Sequence, residues 1–124
     1  MSVEITKKVR EYGDGADAIV ITQVLADIPG GVSLDVTGYK GDVIRAGHVV
    51  VKDAKGVYKP LAVTGDAYGA VAEGETPVGL VISSVSGEDA RVGVMTMGQV
   101  NGKALKPVVP DAVKKLMPHI QFIY

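Results

Sequence analysis

Few side chains in this chain of 124 residues stand where chemistry would need them. Nucleophilic catalysis requires a Ser, Thr or Cys whose proton a neighbouring base can take. Ser83, Ser84 and Ser86 crowd one stretch, but the G-x-S-x-G turn that would raise a serine above a sheet is missing. His48 lies inside a valine-rich run and His119 stands just before another apolar run, so each reads as a packing or surface imidazole rather than a base. Asp14 and Asp17, flanking Gly15, approach the composition of a calcium loop without its acidic period or closing glutamate. Glu73, Glu75, Glu88 and Asp89 read as solvated turn carboxylates, whereas a glycosidase-type pair must be held at a fixed separation. GDAYG at 65–69 lacks the G-K-[ST] ending of a phosphate loop, and no strong helix follows it. The expectation is no catalytic, cofactor or metal site: a protein that is not an enzyme and works through its surfaces.

Composition narrows the partners. With 13 basic and 14 acidic residues the net charge is −1, which gives no electrostatic case for nucleic acid or an anionic membrane. The absence of cysteine excludes disulfides and thiolate metal sites. No apolar run reaches the roughly 18–20 residues of a membrane span, and MSVEITKKVREYG has no signal-peptide core, so synthesis in a cytoplasm is expected. Hydrophobic residues make up 47% but aromatics only 5%, so any core is built from aliphatic side chains. A domain of this size buries roughly two-thirds of its unfolded surface. Apolar side chains are left for a subunit interface.

The elements that must position any site are short strands. Residues 78–85 and 90–97 are apolar runs joined by SGED, the pattern of a buried hairpin and the scaffold of the chain. Residues 17–26 (DAIVITQVLA) read as a buried strand ended by Pro29, Gly30 and Gly31. Val32, Leu34 and Val36 alternate with polar residues, as in a half-buried strand. A strand at 48–51 follows the turn at Arg45, Ala46 and Gly47, and Pro60 makes residues 57–63 an edge strand or a bulge. Residues 64–75 read as a glycine-rich loop and 103–106 as a short strand. A helix starts at Pro110 with Ala112, Val113, Leu116 and Met117 as its apolar stripe, and stops at Pro118. Ile120, Phe122 and Tyr124 then share one face of a closing strand. The fold class is mainly β: a compact β-barrel or β-tulip-like domain of short strands with one short C-terminal helix. Residues 1–15 form an N-terminal arm or first strand, and 16–124 a single β-rich domain. Val78, Leu80, Ile120, Phe122 and Tyr124 are the candidates for core or subunit packing.

The order TGDAYG (64–69), PVGLV (77–81), MGQVN (97–101) and LMPHIQFIY (116–124) resembles tailed-phage capsid decoration and head-fibre proteins, of which the lambda-type decoration protein is one kind. The resemblance runs from about residue 41 to residue 124. It implies a β-rich homotrimer on the outer surface of a virion head, made in a bacterial host, with the major capsid protein as partner and no cofactor. It also implies an N-terminal arm that orders on the capsid. Carried to this sequence, the arm is residues 1–12, with Val3, Ile5 and Val9 as its capsid-binding contacts. A second reading is a barrel-sandwich-like carrier or small-ligand module, since GDVIRAGHVVV has the cadence of that fold's hairpins. Neither Lys52 nor Lys55 has the flanking residues of a modified carrier lysine.

Overall fold

Three consecutive valines explain the architecture. In a strand, successive side chains point to opposite faces, so a strand apolar at every position must be covered on both sides. The computed structural model, which describes residues 17–37, 43–64, 67–86, 91–105 and 108–124, arranges the chain in this way. Strand β4 (Val49–Lys52) sends Val49 and Val51 into one apolar cluster and Val50 into another, and all three valines are buried. The two clusters lie on opposite faces of one sheet.

That sheet runs in the order β1 (Ile21–Asp27), β11 (Val94–Asn101), β8 (Thr76–Val81), β4, β5 (Tyr58–Pro60), with β12 (Ile120–Ile123) also paired to β11. Every ladder is antiparallel except β11 with β12. Three two-stranded ladders complete the fold: β2 (Val32–Ser33) with β10 (Arg91–Val92), β3 (Val43–Ile44) with β9 (Val85–Ser86), and β6 (Val63–Thr64) with β7 (Ala67–Tyr68). The class is mainly β, as expected. The sheet stays open rather than closing into a barrel, because it ends at β5, a strand of three residues whose Pro60 has no amide hydrogen to give.

Each face recruits different covering segments. On one face Leu80, Met95 and Val100 meet Leu61, Tyr68, Leu105, Val109, Val113 and Met117. On the other, Val50, Val81 and Val94 meet Val32, Leu34, Ile44 and Val92. A bulge in β8 divides two residues expected to act together: Val50 faces Gly79 and Val51 faces Pro77, leaving Val78 as the extra residue. Val78 is thereby turned onto the second cluster, while Leu80 belongs to the first. Close approach requires glycine at several positions, Gly79 and Gly47 among them. A Cβ at Gly79 would stand 2.2 Å from the Met95 carbonyl oxygen. At Gly47, φ is +89° and a Cβ would stand 2.5 Å from Leu105 Cδ2, closing the turn into β4.

Several local expectations change. The hairpin is real, since Val81 faces Val94 and Leu80 faces Met95, but its strands stop pairing there. The segment beyond turns away to form β9 and β10, which pair with β3 and β2 instead. Residues 17–26 are not one buried strand: Asp17–Val20 is a helical turn, α1, and β1 is largely exposed at the edge of the sheet. Residues 64–75 are not wholly loop, because β6 and β7 pair. Gly102–Ala104 is a 3-10 turn in place of the strand expected at 103–106; Asn101 caps it, its side-chain oxygen accepting from the Lys103 amide at 3.1 Å. The C-terminal helix is a single turn, α2 (Asp111–Lys114), which buries Val113; past its end Met117 is buried but Leu116 is 54% exposed, so the expected stripe up to Pro118 is only partly realised.

Candidate functional site

The residues with chemical potential are absorbed by the fold. His48 is 4% exposed, and its Nε2–H donates to the Leu61 carbonyl at 2.9 Å; a carbonyl only accepts, so the proton sits on Nε2. Burial holds its pKa below the ordinary histidine value, partly offset by that hydrogen bond. The Tyr68 ring meets the imidazole edge-on at 5.2 Å, and the Tyr68 hydroxyl accepts from the Val49 amide at 3.1 Å. The β6–β7 ladder therefore delivers one tyrosine into the core. Ser84 serves the backbone too, its hydroxyl accepting from the Ala46 amide at 3.0 Å.

The carboxylates organise turns. Asp53 Oδ1 accepts from the amides of Lys55 and Val57 at 2.8 and 2.9 Å, bending the chain between β4 and β5. The Val57 amide is the main cause that keeps the Asp53 carboxyl below the usual range. Lys59 Nζ stands 3.5 Å from Asp53 and 3.9 Å from Glu75. Among the described residues no group of three or more His, Asp or Glu side chains could hold a metal ion. Among them, too, no helix is long and apolar enough to cross a membrane.

The five candidate packing residues separate in the structure. Leu80 and Ile120 are core, Phe122 packs half-buried against the same cluster, Val78 packs on the opposite face, and Tyr124 is 59% exposed. The Tyr124 ring lies against Gly102, where a Cβ would stand 2.6 Å from its carbons. Lys114 Nζ lies 5.2 Å from the Phe122 ring centre and 4.3 Å from that of Tyr124, donates to the Tyr124 hydroxyl, and stands 3.7 Å from Asp111. The last strand is thus fastened to α2 by a cation between two aromatic rings. The arm contacts Val3, Ile5 and Val9, together with Asp14, Tyr12 and Tyr39, lie outside the described residues.

One surface was not legible residue by residue. Among the described residues, the β2–β10 and β3–β9 ladders cover the second face of the sheet over β4, β8 and the start of β11, but not over its other end. There Thr22 Oγ1 donates to the Gln99 carbonyl at 3.0 Å, and Gln99 Nε2 donates to Gln121 Oε1 at 3.0 Å, a polar row crossing β1, β11 and β12. Met97, 38% exposed, and Ile123, 41% exposed, flank it along β11 and β12. Charged residues form 22% of the chain, yet the strand segments ITQVLA, TMGQVN and IQFI that build this strip contain none. The signal was available only once the strands were known to be neighbours.

Comparison with protein-family models, with curated proteins and with solved structures finds no match to this chain.

Proposed function

We propose that this chain is a structural virion protein, a homotrimeric decoration or head-fibre base protein that binds and stabilises the outer surface of a tailed-phage head. One observation carries the reading. Of the segments that resemble such proteins, PVGLV lies in β8, MGQVN in β11 and IQFI in β12, and β11 pairs directly with both of the others in one sheet. The resemblance therefore follows a structural unit rather than scattered apolar words. The engagement of His48, Ser84 and Asp53 in backbone hydrogen bonds also favours a role exercised through surfaces.

In this reading residues 1–12 bind the major capsid protein, with Val3, Ile5 and Val9 as contacts. The test is co-sedimentation with empty heads of the phage whose genome encodes the chain. The full chain should pellet with expanded heads and not with unexpanded ones, and a chain lacking residues 1–12 should stay folded but remain in the supernatant. Absence of binding by the full chain overturns the proposal, and unchanged binding by the shortened chain overturns the role of the arm.

A second reading keeps one specific support: Lys55 is exposed at the turn of the β4–β5 hairpin, the place where a carrier fold presents its modified lysine. Intact mass from the native host decides it, since an unmodified chain removes the carrier.

A further inference from the structure

We propose that the uncharged strip on β1, β11 and β12 is where copies of this chain meet one another, with the row Thr22, Gln99, Gln121 lining the rotation axis. This deepens the homo-oligomeric reading above by assigning its contact surface. The occupant follows from the chemistry. In a closed symmetric assembly, residues beside the axis meet their own copies, whether the axis is two-fold or three-fold. A charged side chain there faces a like charge, which disfavours association. The strip segments have none; the nearest charged residues along the chain are Asp27, at the end of β1, and Lys103, past the end of β11. Glutamine carries both donors and an acceptor, so it pairs with its own copy without any change of protonation.

Other occupants fit less well. Nucleic acid requires Lys or Arg against phosphate, and an interfacial membrane contact combines a continuous apolar face with flanking basic residues. Neither pattern describes a row of amides between Met97 and Ile123. Addition of a foreign strand to the edge of β1 with which no described strand pairs is also disfavoured, because β1 is irregular. Its register slips between Ile21 and Gln23 and again between Val24 and Ala26, placing Thr22 and Leu25 as extra residues. Bulges of this kind bend an edge strand away from regular pairing. The contact is therefore made by the face of the strands, not by their edge.

The chain has no cysteine, which makes single-cysteine variants clean reporters. Sedimentation velocity at high micromolar concentration should give a mass that is a multiple of 12.9 kDa for the full chain. Gln121→Lys should move it to the monomer mass, and Leu116→Lys, in the turn after α2 across the sheet, should leave the assembly intact. Mild oxidation of Gln121→Cys should give a covalent dimer on a non-reducing gel, and Leu116→Cys should not; this variant serves even where the lysine variant fails to fold. A multimer that survives Gln121→Lys, with no preferential cross-linking through Gln121→Cys, overturns the strip as the contact while leaving homo-oligomerisation standing. A full chain that sediments as a monomer overturns both.

Discussion

Replacing Tyr68 by Phe removes a single oxygen from the core, and the structure states what that oxygen does. It accepts from the Val49 amide at 3.1 Å, and Val49 is fully buried at the start of β4. Without the hydroxyl the amide is left in an apolar pocket among Leu61, Leu80 and Val51. A buried donor stripped of its partner costs about 1–3 kcal/mol. Unfolding entropy near the melting point is about 2.1 cal/mol/K per residue, or about 0.26 kcal/mol/K for a chain of this length. Tyr68→Phe should therefore lower the melting temperature by about 4–12 °C. Thermal denaturation followed by circular dichroism gives the shift, and amide hydrogen exchange at Val49 tests the cause, since that proton should lose protection more than its neighbours in β4. A melting point within about 1 °C of the parent, with Val49 still protected, refutes the reasoning: the hydroxyl would then carry no net share of the stability.

Acid should destabilise the fold through His48. Its native pKa lies below the ordinary value of 6.5, so below pH 6.5 the unfolded chain binds a proton that the native chain refuses. Stability is then full above pH 6.5 and falls as pH drops toward the native value, by at most about 1.4 kcal/mol per pH unit. Denaturant midpoints across pH 8 to 5 should show this slope in the parent and not in His48→Gln; a flat parent profile contradicts it. Asp35 and Asp53, held below 3.8 by local hydrogen bonds, act in a separate window, losing their share only as pH falls below that value. Gly79→Ala should cost about 3 kcal/mol or more, because the new methyl meets backbone rather than a movable side chain. Gly74→Ala, at φ +84° with open space around it, should cost about 1 kcal/mol, and equal losses at the two glycines would contradict the close-approach argument. Ile120→Ala should cost about 3 kcal/mol and the half-buried Phe122→Ala about 2, ranked by chemical denaturation; the reverse order would place Phe122 deeper than the structure does.

Much of the fold is legible in the sequence where one residue type has one physical solution. The unbroken valines at 49–51 require cover on both faces, Pro60 marks the edge strand, and Val32 and Leu34 alternate inward as their spacing indicates. The errors share a cause. DAIVITQVLA is apolar enough for a buried strand, but among the described residues β1 lies at the end of the sheet and pairs with β11 alone, and most of its side chains stay exposed. Burial there is set by tertiary position, which a local pattern does not contain. Val78 and Leu80 likewise share a parity that the bulge breaks, and the bulge is defined only by the register with β4. The candidate contact strip is the extreme case. Thr22, Gln99 and Gln121 are up to 99 residues apart and come together only when three strands are aligned. The arm residues Val3, Ile5 and Val9 fall outside the described structure, so their role rests on the resemblance alone.

Strand β11 divides one of its edges between β8 and β12 and gives the whole of the other to β1, which sets an order of assembly. Val81 and Val94 are 13 residues apart in the chain, Gly98 and Ile120 are 22 apart, and Ile21 and Val100 are 79 apart. Closing the longest of these loops costs about 1.6 kcal/mol more entropy than closing the shortest. The β8–β11 pair should therefore form the nucleus, β12 should add next, and β1 should dock after the transition state. Substitutions in β1 would then accelerate unfolding with little effect on the folding rate, and φ-values near zero at Val24 and Leu25 would mark the late arrival. Until it arrives, the edge of β11 that β1 covers is bare in every folding molecule. The concentration at which the chain is made thus becomes a determinant of its yield.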